Sequence, residues 1–175
     1  FGKGNKYGFF PSVAGAWRVS EENFMKEMKA VSNLKLRASY GIVGNEGIPP
    51  YSSQGLMYNA EAYFGNTEIV KGLTPFTLSN QDLKWETTKA FDFGFDLSLF
   101  KNRIQLNVDY YINRTDDLLY NLQLPAATGF NSMRTNLASI ENRGWEIDLT
   151  TTNINTRSFK WSSTLNLSGN KNKDI

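Results

Sequence analysis

The chain has 175 residues, and its 19 basic and 17 acidic side chains give a formal net charge of +2. This near balance excludes the basic footprint of a nucleic-acid-binding domain. Cysteine and histidine are both absent, which excludes disulfides, thiolate zinc sites, cysteine nucleophiles and histidine general bases. No apolar run approaches the ~20 residues of a membrane-spanning helix, although alternating β-strands that cross a membrane would not give that signal.

The sequence opens on Phe1 without a methionine or signal peptide and stops at Ile175 after an Asn/Lys-rich stretch. We therefore expect a segment of a longer chain, in which residues 1–175 are part of a single domain. Targeting signals cannot be judged from such a segment.

The first predicted elements are two strands, near residues 9–19 and 34–43. "FFPSVAGAWRVS" alternates weakly, and "NLKLRASYGIVGN" alternates more clearly between apolar and polar residues, which is the period of a half-buried strand. Between them, Ser20 can cap a short helix that begins at Glu21, with Phe24, Met25 and Met28 as its apolar side.

The strongest alternation lies in "AFDFGFDLSLFKNRIQLNVDYYINRT", residues 90–115. It predicts strands near 85–99 and 103–114 joined by a short polar break, which is a hairpin. "GWEIDLTTTN" and "FKWSSTLNLSGN" predict a second pair of strands near 140–152 and 158–168. On the apolar side of that pair, Ser163 is the one polar interruption.

The connectors come in two sizes. Residues 101–103 and about 153–157 are short, whereas 43–83 and 115–138 are long and contain Gly, Pro, Asn and Tyr. Because long and short connectors alternate, all the long loops fall at one end of an antiparallel sheet. Three hairpins with short periplasmic turns and long outer loops are therefore expected.

Such an apolar face must be covered, since leaving five large apolar side chains per strand in water would cost roughly 8–15 kcal/mol. A soluble β-sandwich or barrel would turn the face inward. Lipid is favoured because the runs are longer than globular strands and because aromatic residues gather at strand ends as in membrane girdles. The expected girdle aromatics are Trp85, Phe100, Tyr110, Tyr111, Trp145, Phe159 and Trp161.

The polar side of the strands carries many carboxylates, too many for a protein core but suited to a wet lumen. These expected lumen-facing residues are Asp92, Asp96, Asp109, Glu146 and Asp148. We therefore predict an all-β fold, an antiparallel transmembrane β-barrel segment of about six long strands. Six strands leave open edges that lipid does not tolerate, so the segment would be an arc of a larger barrel.

Several strings resemble the C-terminal part of the barrel of SusC/RagA-type TonB-dependent outer-membrane transporters of Bacteroidetes. They are "FFPSVAGAWRVSEENF", "LKLRASYGIVGNEGIPPY", "LSNQDLKWETTKAFDFGFDLSLFKNRIQLNVDYYINRTDDLL", "LPAATGF" and "NLASIENRGWEIDL". The resemblance implies a barrel of about 22 strands with an N-terminal plug that lies outside this segment. It further implies nutrient import energised by TonB, a SusD-like surface lipoprotein as a lid, and an oligosaccharide or peptide substrate.

The candidate contact residues for substrate or lid are loop aromatics, which offer rigid area at low entropic cost. They are Tyr51, Tyr58, Tyr63 and Phe64. A glycosidase-like pair among the lumen carboxylates and a calcium site at Asp116-Asp117 are disfavoured against plain hydration. The expectation is no enzyme activity, no cofactor and no metal. The alternative is a soluble all-β carbohydrate-binding module of a secreted protein.

Overall fold

The computed structural model describes residues 2, 4–63, 65 and 69–175, and β-strands dominate them. The predicted all-β antiparallel fold is confirmed. The strands in chain order are β1 (Ser12–Arg18), β2 (Val31–Asn45), β3 (Met57–Tyr63), β4 (Ile69–Pro75), β5 (Thr77–Leu78), β6 (Glu86–Leu99), β7 (Ile104–Gln123), β8 (Ser132–Asn155) and β9 (Lys160–Asp174).

The main sheet has the order β1-β2-β6-β7-β8, and β9 pairs with the other side of β8. β1 runs antiparallel to β2, with Trp17 opposite Leu36, and β8 runs antiparallel to β9, with Trp145 opposite Gly169. The short β5 pairs parallel with the start of β8. The six predicted strands are thus β1, β2, β6, β7, β8 and β9, in the predicted hairpins.

The predicted long connector at 115–138 is wrong over most of its length. β7 continues to Gln123 and β8 begins at Ser132, so only residues 124–131 connect them, with one 3₁₀ turn at Ala126–Thr128. The strands continue here although apolar and polar residues no longer alternate. Alternation of apolar and polar residues is found only where one face of a strand is apolar. The main-chain hydrogen bonding of β7 and β8 continues beyond those residues, so alternation underestimates the length of both strands.

The helix predicted from Glu21 is also wrong. The structure has a 3₁₀ turn at Val19–Glu21 without a side-chain cap, and Glu22 is extended. Most of its predicted apolar side stays in solvent, since Phe24 is 66% and Met28 52% exposed, and short helices are marginal without tertiary packing. Among the described residues, no helix is long and apolar enough to cross a membrane.

The predicted connector at 43–83 contains an unpredicted hairpin. β3 and β4 form a separate two-stranded antiparallel sheet, with Met57 opposite Pro75 and Tyr63 opposite Ile69. In "MYNAEAY" and "IVKGLTP" one face of each strand mixes apolar and polar residues, so alternation gives no clear strand signal here.

The described residues divide into two compact units. One comprises residues 10–43, 88–114 and 140–175 and contains the alternating parts of the main sheet. The other comprises the remaining segments, including β3 and β4.

Neither unit has a conventional hydrophobic core. Among the described residues, Val19 in the first unit and Leu83 in the second are the buried hydrophobic side chains. The large apolar side chains of the main sheet stay exposed instead, so the chain itself does not cover its apolar face. A soluble module would bury this face, and the structure does not support that alternative. The exposed set includes Val13, Trp17, Tyr40, Phe91, Phe93, Tyr110, Trp145, Trp161, Leu165 and Leu167.

Candidate functional site

An ionic cluster of Arg37, Asp96 and Asp109 joins three neighbouring strands on the polar face of the sheet. Arg37 of β2 donates from Nε to Asp96 Oδ2 at 3.0 Å and from Nη2 to Asp96 Oδ1 at 2.9 Å, a bidentate contact with β6. Arg37 Nη2 also donates to Asp109 Oδ1 of β7 at 2.9 Å. These side chains are 38%, 22% and 41% exposed, so water reaches the cluster. We call this the Arg37 cluster.

Gly94 provides the space that the Arg37 cluster occupies. Since β6 lies between β2 and β7, Arg37 must cross β6 to reach Asp109. A Cβ at Gly94 would lie 2.5 Å from Arg37 Cζ and 2.7 Å from Asp109 Oδ1, well inside van der Waals distance. The guanidinium therefore passes over Gly94, the one residue of "FDFGFD" that leaves room for it.

The polar face beside the cluster is lined by small side chains. Ser39 Oγ donates to Asp92 Oδ2 at 3.3 Å, one two-residue step along β6 from Gly94. Ala14 and Ala16 of β1 lie opposite Ser39 and Arg37, and an open cleft of about 350 Å³ extends over this area. The wall here is polar, charged and indented.

The other predicted lumen carboxylates, Glu146 and Asp148, lie on the polar positions of β8. Their cross-strand partners on β9 are Ser168 and Asn166. The structure thus brings Asp96 and Asp109 together but places these two on a separate strand pair. Within the described part of the chain, no group of three or more potential ligands could hold a metal ion. Asp117, one of the weighed calcium ligands, forms an ion pair with Lys84 at 2.9 Å.

The candidate loop aromatics do not form one platform. Tyr58 and Tyr63 both belong to β3, but an odd separation directs them to opposite faces of the β3–β4 hairpin. Tyr58 packs edge-to-face on Phe76 with ring centroids 5.7 Å apart. Tyr51 is exposed in the loop before β3, with a left-handed φ of 64°. Phe64 lies outside the described residues.

The predicted girdle aromatics differ in their surroundings. Tyr110, Trp145, Phe159 and Trp161 are exposed. Trp85 is half-buried just before β6, and Phe100 lies in the β6–β7 turn with a left-handed φ of 51°. The exposed Trp17 of β1, which sequence analysis did not place in the set, belongs with the first group.

Two aromatic rings cover glycines on opposite faces of two neighbouring strand pairs, β7–β8 and β8–β9. On the polar face, Tyr111 of β7 covers Gly144 of β8: a Cβ there would lie 2.5 Å from the Tyr111 hydroxyl oxygen and 2.8 Å from the Gly169 carbonyl oxygen. On the apolar face, a Cβ at Gly169 would lie 3.0 Å from Cε2 and Cζ2 of Trp145. The glycines let both rings lie against the sheet.

The polar interruption at Ser163 has a structural explanation. The β8–β9 ladder has a bulge between Thr152 and Ile154, and the side chain of the extra residue, Asn153, donates from Nδ2 to Ser163 Oγ at 2.7 Å. Arg103 of the β6–β7 turn donates to the Asn153 carbonyl at 2.9 Å. Ser163 thus accepts a hydrogen bond from the extra residue of a bulge near the short turns.

Sequence analysis did not single out Arg37, although it placed this residue on the polar side of its strand. The available signal was a lone arginine on one strand facing an Asp-x-Gly-x-Asp pattern on another. Recognising it requires the register between β2 and β6, which alternation alone does not supply because shifts by two residues preserve both faces.

Arg37→Ala tests the cluster. It leaves Asp96 and Asp109 close together without their shared cation, and we expect the free energy of unfolding of the full-length protein in bilayers to fall by about 1–2 kcal/mol, a value reduced for solvent exposure. Denaturant titration followed by gel mobility measures it. Lys35→Ala, on the same face one step away, should change the unfolding free energy by less than about 0.5 kcal/mol. Equal losses in the two variants would show that the cluster has no special role.

An antiparallel sheet with long strands, one polar face, one exposed apolar face and almost no core is the wall of a membrane β-barrel. Residues 1–172 match the family model described as TonB dependent receptor-like, beta-barrel. The chain belongs to this family.

Curated relatives and solved structures agree with this assignment. TonB-dependent receptor P26 of Formosa agariphila is 46% identical over 99% of the chain, which spans 17% of that protein. TonB-dependent receptor SusC of Bacteroides thetaiotaomicron is 34% identical over 99% of the chain and 18% of its own length. The structure of the RagAB peptide transporter matches with a TM-score of 0.86 and 31% identity, over 99% of this chain and 19% of that one. The chain therefore spans less than a fifth of these relatives.

Proposed function

We propose that this chain forms part of the wall of an outer-membrane barrel that imports a nutrient, an oligosaccharide or a peptide, with energy from TonB. The wall has no chemistry of its own in this proposal. The observation that carries it is the exposed apolar face of the main sheet between two tryptophan levels.

The tryptophan levels are set by β8 and β9. Trp145 lies opposite Gly169, and Trp161 lies eight residues before Gly169 on β9, opposite Ile154. Eight residues at roughly 3.4 Å and a tilt of about 40° rise about 21 Å, close to the ~25 Å apolar band of outer-membrane barrels. Leu165 and Leu167 lie between the two levels and are exposed. This spacing supports a role for Trp145 and Trp161 in interfacial aromatic girdles.

The opposite face suits a hydrated lumen. The Arg37 cluster, Asp92, Glu146 and Asp148 put charged side chains along it, and the cleft beside Ala14 and Ala16 leaves space for a neighbouring body inside the barrel. In a whole transporter that body would be the plug, through which TonB acts.

The outer loops contribute to recognition in this proposal. Tyr51, Tyr58 and Tyr63 are exposed and belong to the segment predicted as the long connector 43–83, and in this proposal they contact substrate or a SusD-like lipoprotein lid. Since Tyr58 and Tyr63 point to opposite faces of their hairpin, we propose that one of them contacts the substrate and the other contacts the lid. The RagAB name denotes a peptide transporter, which supports a peptide as substrate without excluding an oligosaccharide.

The test uses the full-length protein. Cells that contain it should take up a labelled peptide or oligosaccharide pool, and uptake should stop when TonB or the SusD-like lid lipoprotein is deleted. The protein should need detergent for extraction and migrate faster on SDS gels before heating. Recovery in the soluble fraction, or uptake that persists without TonB, would reject the proposal.

A further inference from the structure

Basic side chains lie on the apolar face just beyond the Trp145 level. In the β8–β9 register, Arg143 is opposite Lys171 and Glu141 is opposite Lys173. Both pairs share the face of Trp145, since cross-strand partners and residues two apart point the same way. We call these two pairs the basic rungs.

The basic rungs carry an excess of positive charge, three cations against one carboxylate. Nη2 of Arg143 lies 3.1 Å from Glu141 Oε1, and Arg143 is about half exposed. Its guanidinium has five N–H donors, so this contact uses only part of its capacity. Among the described residues, Lys171 and Lys173 have no carboxylate within ion-pair distance. The rungs can therefore accept an anion.

A cleft of about 280 Å³ lies beside the nearer rung. Its lining includes the aromatic residues Tyr110 and Trp145, Gly169, and the basic residues Arg143 and Lys171. Because Gly169 has no side chain, the Trp145 ring can lie over the backbone of β9 at this position. The cleft thus combines aromatic and basic side chains, which fits a ligand with an apolar body and an anionic head.

The height of the cleft identifies the ligand, and this step rests on the proposed function. If Trp145 marks the outer edge of the apolar band, the first basic rung is one two-residue step above it, a rise of about 5 Å. Lipid head groups lie at this level, and basic pockets there bind anionic ones. Arginine in particular matches phosphate geometry with two parallel hydrogen bonds. We infer that Arg143 and Lys171 bind the phosphate of a phosphorylated glycolipid in the outer leaflet, whose acyl chains lie along Trp145 and the leucines below.

Binding of phosphorylated lipid A to the full-length protein in detergent micelles, measured by native mass spectrometry, tests this inference. R143Q/K171Q should weaken binding about tenfold or more, since two charge-assisted hydrogen-bonding groups are lost. R143K/K171R keeps both charges and should bind nearly as well as the wild type. The matched control is R18Q/K35Q, another arginine–lysine pair in direct register, which lies in β1–β2 and should bind normally.

Four outcomes of the binding measurements would overturn the lipid assignment. They are unchanged binding by R143Q/K171Q, an equal loss in R18Q/K35Q, equal wild-type binding of dephosphorylated lipid A, and displacement by inorganic phosphate at the lipid's own concentration. The last would indicate a site for a free anion. The lipid assignment would also be overturned, in favour of a protein contact, if the lid protein without lipid shielded Lys171 from an amine-reactive reagent.

Bilayer insertion separates this inference from the proposed function. Heat-modifiable migration after reconstitution is expected for the wild type and all three variants. A wild type that fails to insert would reject the barrel proposal itself. Insertion of every variant with unchanged lipid binding would reject the lipid site alone.

Discussion

Leu165→Arg is expected to lower the free energy of unfolding of the full-length protein in a lipid bilayer by about 2–4 kcal/mol. Leu165 lies on β9 midway between Trp161 and Gly169, on the exposed apolar face, opposite Leu149. At this depth the guanidinium reaches neither water nor head groups without deforming the bilayer. Denaturant titration of the reconstituted protein, followed by gel mobility and tryptophan fluorescence, measures the loss.

The position of the charge provides the control. Asn166→Arg puts the same side chain on the polar face, opposite Asp148, and should change the unfolding free energy by less than about 0.5 kcal/mol. Leu167→Arg should lower the unfolding free energy less than Leu165→Arg, because position 167 is nearer the interface. Gly169→Arg is a poorer control, because its side chain would also clash with the Trp145 ring. Similar losses at positions 165 and 166 would mean that lipid does not cover the apolar face.

The second large effect is expected for Gly144→Val. Its Cβ would lie 2.5 Å from the Tyr111 hydroxyl oxygen and 2.8 Å from the Gly169 carbonyl oxygen. The tyrosine can rotate away, but the carbonyl belongs to the β8–β9 ladder, so the strands must separate locally. We expect a loss of about 1–3 kcal/mol and less heat-modifiable protein in the membrane.

Gly15→Val is the matched control, since a Cβ at Gly15 has no atom within 4 Å among its described neighbours. It should fold at wild-type levels. The double variant Y111A/G144V should recover part of the loss, because only the clash with the carbonyl remains. If Gly15→Val were as damaging as Gly144→Val, the cost would come from the loss of glycine in a strand and not from the Tyr111 contact.

Sequence alone predicted the two faces of the sheet and the order of the hairpins, because a side chain repeat of two residues is local information. The alternation puts Phe91 and Phe93 on one face of β6 and Asp92 and Gly94 on the other. The structure agrees, since both phenylalanines are exposed on the apolar face, whereas Asp92 accepts a hydrogen bond from Ser39 and Gly94 lies beneath Arg37. The exposed apolar face could be argued to meet lipid only from strand length and aromatic placement, which are also properties of each strand by itself.

Contacts between strands could not be predicted. The Arg37 cluster depends on the register of β2, β6 and β7, which is a property of three segments together. The extension of β7 and β8, and the β3–β4 hairpin, depend on main-chain pairing that leaves little trace in apolar patterning. The helix expected from Glu21 satisfies local rules, but Phe24 and Met28 stay exposed, so little tertiary packing is available to stabilise it.

The passage of Arg37 over Gly94 has a consequence for assembly. A slip of β2 along β6 by two residues would keep every apolar side chain on the apolar face. Burial in lipid would therefore not distinguish the slipped register from the native one. In the slipped state the guanidinium would instead meet the Cβ of Asp92 or Asp96, where no gap exists, and Asp109 would lose its counter-ion. Gly94 therefore selects the correct register between β2 and β6. Lipid contact alone cannot select it, because both registers expose the same apolar face.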